Sequence, residues 1–529
     1  MQIDDSLYTA FLKEMEALDT FRVSYRKRYP ETPIDPEDPD VRRLMEAMAL
    51  LSARTRRAAE KHINRTHLRM FQQFFPYLLT PVPSMAVVQA IPGRSLSDGI
   101  TCPEGMVMSL FSESVGQANF RTLQPLNILP IKIQGVQVVS RPGGRQRLIV
   151  TMETPYPRND EIGRISLFVN HLNDYESSLA IYMDLCRYVE RVTVCFNGET
   201  ANENRHRRCG VSFGLARSGP ESTHLLERER RFFHFPWQEL FVHVDVTAPE
   251  RRWQSLDLCF DLSASWEGQG NLTPDVFHLF AVPVINLLHD RARPVISDGT
   301  RESCSLTHPD AEKKYALHSV KGVFEVTPQG LAPLDPALLS DSSPCWEVGA
   351  DGSGTSRLNL NIPMAFEAPK TLSVTARWYQ PWFSDAVSKR IEVGPYARMV
   401  DGVSWGIAVP PVMHADVAMR ENIDDFLRYL TLSNRVELSR HNLLDILGAL
   451  GVNHESRFAP VLELLEDVVV EPRASRSSGA GNVVHTYTLI FRACRPEMEP
   501  LVQLFIEHIG LILEAWIASA SIEVRRAEP

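Results

Sequence analysis

FFPYLLTPVPSMAVVQ, residues 74–89, decides how this chain is built. A helical pattern runs up to Phe75 and stops. Pro76, Pro81 and Pro83 follow within eight residues, and an apolar strand begins at Met85. Each proline fixes its own φ, removes a backbone donor and pushes the preceding residue out of the α region. The stretch reads as a stiff joint between a helical arm before it and a β body after it. Stiff joints on long arms suit assemblies better than active sites.

Upstream, Leu7, Phe11, Met15, Leu18, Phe21 and Tyr25 recur every three or four residues, which predicts a helix over 7–29 with one apolar stripe. Pro30 and Pro33 end it, and ETPIDPEDPD forms an acidic, proline-rich link. Asp38 caps the next helix with Pro39 at its first position. That helix runs from Pro39 to Phe75. Val41, Leu44, Met45, Met48, Leu51 and Thr55 continue a stripe, and Arg42, Arg43, Arg56, Arg57 and Lys61 occupy the opposite face. Ile63, Leu68, Phe71, Phe74 and Phe75 follow. Two helices alone do not dry so long a stripe, so the pattern favours a bundle completed by another chain. The alternative is an internal hairpin packed on the next domain. Candidate interface residues are Leu7, Phe11, Met15, Leu18, Leu44, Met48, Leu51 and Phe71.

Downstream, residues 81–300 read as β. Runs at Ala86–Ile91, Ile131–Val139, Arg147–Met152, Ile165–Val169, Val192–Phe196, Leu240–Val246 and Ser255–Leu262 are separated by turn signals such as Pro142-Gly143-Gly144 and Asn197-Gly198. A helix over Tyr175–Tyr188 interrupts them. Residues 301–415 continue in the same style, with a loop tip at ADGSGTSR, 350–357. From Ile423 the pattern turns helical. Strands at Asp467–Pro472 and Val483–Arg492 then flank a Ser/Gly loop at 474–481, and a long helix over Pro496–Ser519 precedes a last strand at Ile522–Arg525. The fold class is multidomain α+β. Long N-terminal helices occupy 1–80, and antiparallel β-sandwich or barrel-like domains occupy 81–300 and 301–420. A small α+β domain follows at 421–529.

Composition is that of an ordinary globular protein, 44% hydrophobic and 23% charged over 529 residues. Net charge is −10 with both signs mixed, which argues against nucleic acid as a partner. Only nine lysines accompany the arginines, a bias that fits interfaces but also follows from GC-rich coding. Eight cysteines form no CxxC pair and read as free thiols of a reducing cytosol. The N-terminus carries early acids and is no signal peptide. Gln503, Glu507, His508 and Glu514 interrupt the apolar run Leu501–Ala518, so it reads as a covered helix and not a membrane span.

Catalytic signals are sparse. Gly210-Val211-Ser212-Phe213-Gly214 matches GxSxG, a serine hydrolase signature, but that serine needs a strand before it and a helix after it. ENRHRRC before it reads as polar loop and LARSGPES after it starts no helix, so the match reads as chance. His206 and Cys209 have the spacing of half a metal site, yet no second pair accompanies them, and they read as a basic surface loop. No HExxH, Walker or deaminase signature is present. Asp424-Asp425 reads as the acidic first turn of a helix. Trp378, Tyr379, Trp382 and Phe383 form a glycan-stacking candidate, weighed against the larger expectation that they are core. No catalytic, cofactor or metal residue is expected.

The joint resembles a family pattern in which an L-x-P-x-Y-L run leads into R-P-x-P-S-M-A-V-V-Q. Pro76, Leu78, Pro81, Pro83 and Ser84-Met85-Ala86-Val87-Val88-Gln89 match it. Arg28–Pro30 and DPDVRRLMEAMALLSARTR at 38–56 resemble the family's arm, and FAVPVINLLHDRARPV at 280–295 resembles its second block. The family is TssF, also called VasA or ImpG, the wedge subunit of the type VI secretion baseplate. Thr80 stands where the family has arginine, and segment 384–420 is short for the family.

The resemblance implies a scaffold without catalysis. Two TssF copies would join one TssG through a shared helical core bundle, with TssK attached through TssG. Six wedges would surround the spike, the sheath would polymerise on the baseplate, and the membrane complex would be reached only indirectly. The implied location is cytoplasmic. A wedge protein of a phage-derived contractile particle is the nearest alternative.

Overall fold

A computed structural model of the chain describes residues 5–31, 38–159, 161–198, 200, 203–215, 224–247, 252–264, 266, 272–301, 303–337, 344–350, 356–362, 368–383, 391–396, 401–416, 423–453, 456–474, 483–517 and 520–527. Most of the acidic link, of the ADGSGTSR tip and of the Ser/Gly loop lies outside the described residues. The helices are α1 (Asp5–Arg28), α2 (Pro39–Phe74), α3 (Tyr175–Tyr188), α4 (Leu225–His234), α5 (Ile423–Ser433), α6 (Arg440–Ala449), α7 (Ala459–Leu464) and α8 (Glu499–Trp516). The chain forms two compact units, Met1–Pro76 with Glu421–Leu430, and Tyr77–Arg420 with Thr431–Pro529.

In the first unit α1 packs along α2. Asp38 caps α2 as its spacing predicts: its side chain accepts from the Asp40 N–H at 2.9 Å, and Pro39 holds the first position. A 2.6 Å ion pair from Arg56 Nη1 to Glu14 Oε1 ties the two helices. Arg56 is largely solvated, so the pair fixes alignment more than it adds stability. Ala49 and Ala53, four apart on α2, are fully buried. Small residues at that spacing let a neighbouring backbone approach.

The second unit is built on three large sheets. The first orders its strands as Ile391–Pro395, Val107–Ser112, Gly116–Thr122, Ala281–Ile285, Met85–Pro92 and Val403–Val409. The two sequence blocks with family character are neighbours in it. Met85 pairs with Ile285, Val87 with Pro283 and Gln89 with Ala281, all antiparallel. Both strands are buried on both faces, which explains their unbroken apolar runs. Just past the second block, Asn286 Nδ2 donates to the Asn119 carbonyl at 2.7 Å, and its Oδ1 accepts from the Gln380 N–H at 2.6 Å. This buried knot ties the first sheet to the segment around Trp378.

The second sheet orders Phe277–Leu279, Gly163–Val169, Phe241–Val246, Arg207–Phe213, Val189–Phe196, Trp253–Leu262, Gln146–Arg158 and Lys132–Ser140. The third orders Leu288–Arg291, Lys370–Tyr379, Ala316–Thr327, Gly330–Pro336, Cys345–Ala350, Ser356–Asn361 and Ser303–Ser305, and Val295–Ser297 also pairs with Lys370–Tyr379. A three-stranded sheet, Leu465–Ala474, Val483–Phe491 and Ser521–Arg526, closes the chain, its last pair parallel. Helix α8 packs on the last strand and also on α3 and α4. Being covered from both sides, it is apolar almost all round.

Candidate interaction arm and its anchored joint

After α2, residues Pro76–Leu79 form a single 3-10 turn. From Tyr77 onward the joint belongs to the β unit, and its carbonyls need partners because the prolines disrupt a regular ladder. Val82 makes a two-way bridge with Ala415, its N–H donating at 2.8 Å and its carbonyl accepting at 2.9 Å. Ser84 Oγ donates to the Val412 carbonyl at 2.6 Å, and the Val412 N–H donates to Met85 O at 2.9 Å.

The carbonyls of Tyr77, Thr80 and Pro81 are taken by two buried side chains. Arg230 on α4 donates from Nη1 to Tyr77 O at 2.5 Å and to Thr80 O, and from Nη2 to Asp416 O at 3.3 Å. Burial pulls this guanidinium down from 12.5 to about 10, with Glu227 acting in the opposite sense. It stays charged at neutral pH. His318 Nε2 donates to Pro81 O at 3.1 Å. Burial, reinforced by the Arg377 charge, pushes its pKa to about 3, so the ring is neutral. Glu227 completes the cluster with a 2.8 Å ion pair to Arg377 Nη1. Burial acts to raise the Glu227 carboxyl, but Arg231 and Arg377 outweigh it and hold it below the ordinary value. Tyr77 is buried and stacks on His224, with centroids 4.9 Å apart.

Arm residues differ sharply in exposure. Leu44, Met48 and Leu51 on α2 are 62%, 49% and 68% exposed, at helical positions i, i+4 and i+7. Leu7, Phe11, Met15 and Leu18 on α1 are half-buried. The large exposed apolar side chains of α1 are instead Tyr8, Leu12, Phe21 and Val23. Phe71 is fully buried and lies 5.1 Å from Phe75, ring to ring.

The Ser212 context differs from the sequence reading in one respect. Arg207–Phe213 is a strand inside the second sheet, not a loop. Cys209 is its buried contact, while Arg208, Gly210 and Ser212 face outward. Ser212 thus sits within a strand and not at a strand-to-helix turn. Its register partner His243 donates from Nε2 to Gly214 O at 2.9 Å, and Nδ1 accepts from Ser166 Oγ at 2.7 Å. Neither nitrogen is left for Ser212. Of the stacking candidates, Trp378 and Phe383 are core at 1% exposed, and the indole N–H of Trp378 donates to Asp290 O, while Tyr379 and Trp382 are half-buried. Among the cysteines, Cys102, Cys195, Cys209, Cys259 and Cys345 are buried, whereas Cys186 is exposed.

Sequence reasoning missed Arg230, His318 and the helix carrying Arg230. LLERERRFFH looks like a solvated charge run, yet Glu229 and Arg230 are buried. The available signal was its phase: Leu226, Phe233 and the two buried charges recur at helical spacing.

A family model described as "Type VI secretion system, TssF" matches residues 24–337. No curated protein matches the chain. A chain of a type VI secretion TssK-TssF-TssG baseplate subcomplex, determined by cryo-electron microscopy, is similar with a TM-score of 0.70 and 18% identity, over 92% of this chain and 96% of that one. A chain of a type VI secretion baseplate complex is similar with a TM-score of 0.58 and 16% identity, over 98% and 96%. At these identities the structural likeness establishes the fold, and it spans arm, joint and body. The family match extends from the arm through the joint and both paired strand blocks, and this chain belongs to the TssF family of the type VI secretion system.

Proposed function

We propose that this chain is a non-catalytic structural subunit of a type VI secretion baseplate. It forms a wedge with a TssG-type protein and a second copy of itself, and meets a TssK-type protein through TssG. Sheath and spike are its further neighbours. It works on the cytoplasmic side, in a baseplate docked to the membrane complex through other subunits. No described helix is long and apolar enough to cross a membrane.

The observation that carries this reading is the exposed stripe Leu44, Met48 and Leu51 on α2, with Tyr8, Leu12 and Phe21 exposed on α1. Fully burying such a side chain is worth roughly 1.5–3 kcal/mol, and about half of each is still exposed. Six together supply roughly 5–10 kcal/mol, comparable with an association cost of about 4–15 kcal/mol. A stripe of this kind suits bundle formation with partner helices. The engagement of both ring nitrogens of His243, the register partner of Ser212, with Ser166 and Gly214 supports the non-catalytic part.

Co-expression with candidate TssG and TssK chains, followed by native mass measurement, tests the proposal. Wild type is expected to yield a wedge with two copies of this chain. Leu51→Asp is expected to abolish it while the β unit stays folded. A wedge recovered at wild-type yield from Leu51→Asp refutes the arm as the docking element.

A further inference from the structure

One face of the second sheet carries a group of side chains that the scaffold role does not use. Cys195 and Cys259 are fully buried there, on the adjacent strands Val189–Phe196 and Trp253–Leu262. His206 stands just before the strand Arg207–Phe213, whose Arg207 pairs with Val194. That register brings His206 alongside Cys195. The two sulfurs and one imidazole nitrogen all lie within 4.8 Å of one another. The main core lies on the other face, where Val192, Val194, Leu256 and Leu258 point. The cysteine face forms its own small cluster with Ile149.

We propose that Cys195, Cys259 and His206 form a site for a zinc-class divalent cation. Two thiolates and one imidazole are a soft donor set that suits zinc over calcium or magnesium. Metal–ligand bonds of about 2.1–2.3 Å place tetrahedral donors roughly 3.5–3.8 Å apart, so a small inward movement closes the site. Binding converts the two thiols to thiolates and releases their protons to solvent, and the thiolates balance the charge of the ion.

The histidine is already set in the required tautomer. Its Nε2 lies 3.0 Å from the Thr200 carbonyl oxygen, which only accepts, so Nε2 carries the hydrogen. Nδ1 therefore keeps its lone pair. In this structure it accepts from Thr193 Oγ1 at 3.2 Å, a bond that a bound cation would replace, and Thr193 pairs in register with Cys259. A backbone carbonyl holding the far nitrogen is the usual outer support of a metal-binding histidine. Asp257 lies on the same face of the sheet. It pairs in register with Cys195, its Oδ2 is 3.9 Å from Cys195 Sγ, and its Oδ1 accepts from Thr151 Oγ1 at 2.6 Å. Among the described residues the fourth coordination position is then open to water or to an oxygen of Asp257.

The ligands come from positions 195, 206 and 259 of the sequence, so no short motif shows them. His206 belongs with Cys195 and Cys259, while Cys209 pairs opposite Val192, on the core side of the strand. The bound ion would pin the turn Glu203–Arg205 to two strands, and with it Glu203, which pairs with Arg141 at 2.8 Å.

The test uses the full chain, purified under reduction and stripped with a chelator. Zinc content after dialysis is read by mass spectrometry, and cobalt(II) titration reads the thiolate-to-metal charge-transfer band and the tetrahedral visible bands. A single equivalent of metal with both signatures is expected. Cys259→Ser and His206→Ala should each remove the charge-transfer band or weaken it strongly, whereas Cys209→Ser should leave it intact. If a variant misfolds by circular dichroism, wild type alone still decides: zinc should slow amide exchange at residues 203–209, and chelator should reverse it. No stoichiometric metal in wild type overturns the site. So does a band that survives in both variants, or a Cys195–Cys259 disulfide in the reduced-and-trapped peptide map.

Discussion

Replacing Arg230 by Met removes the cation that holds the joint while keeping most of the side-chain volume. Three bonds to carbonyl oxygens disappear, to Tyr77, Thr80 and Asp416. Hydrogen bonds to a charged group are worth roughly 1.5–3 kcal/mol each, so the gross loss is about 4–9 kcal/mol. Against this, the buried guanidinium itself is costly. Its fall from 12.5 to about 10 corresponds to roughly 3 kcal/mol against the cation. The net loss is then about 1–6 kcal/mol, concentrated where residues 77–85 meet 412–416. At about 1.4 kcal/mol per tenfold, local opening should rise roughly 5-fold to ten-thousand-fold. Amide hydrogen exchange by mass spectrometry reads this directly, through the N–H groups of Val82, Val412 and Ala415. Peptides from the second sheet serve as the unchanged reference. Arg230→Lys keeps the charge but loses the planar fork, and should fall between wild type and Arg230→Met. Exchange in the 77–89 and 410–416 peptides that stays within twofold of wild type would show that Arg230 does not hold the joint.

Two further outcomes follow from buried histidines. His318 and His234 are pushed by burial from 6.5 to about 3 and about 4, while Arg377, Arg230 and Glu227 face the first and Arg230 and His414 face the second. The unfolded chain protonates near pH 6.5 and the folded chain only at those lower values, so stability is full above 6.5 and is lost as pH falls towards 3. At pH 5 each should cost roughly 2 kcal/mol, and His318→Asn should remove its share; an unchanged urea-midpoint slope between pH 6.5 and 5 contradicts this. His508 on α8 donates from Nδ1 to Glu229 on α4 at 2.5 Å while stacked on Phe232. His508→Leu leaves a buried carboxylate alone and should cost roughly 3–5 kcal/mol, whereas Glu229→Leu with His508→Leu should recover most of it. Chemical unfolding followed by Trp516 fluorescence distinguishes the two, and equal losses would show that the pair is not coupled.

Local chemistry was readable from the sequence wherever one or two residues force the backbone. The caps and prolines bound α2 at Pro39 and Phe74, one residue from the expected end. The helix over Tyr175–Tyr188 and the last strand also follow from short-range periodicity. Reading charge as solvent exposure failed at the basic run around His206. Arg207–Phe213 is a strand in which Cys209 is buried while Arg208, Gly210 and Ser212 face outward. The run 225–234 is a helix whose Glu229 and Arg230 are buried because His508 and three carbonyls compensate them.

By itself, then, the sequence determined the arm, the joint, the mainly β body and the family, because φ restriction, capping and side-chain period act over a few residues. Tertiary structure alone decided which distant groups meet. Strand register places Met85–Gln89 against Ala281–Ile285 and sets Cys195 beside Cys259. Helix packing brings Arg230 to the joint's carbonyls. These are long-range choices, made by the need to pair every buried polar group and cover every apolar face at once. No local pattern records them.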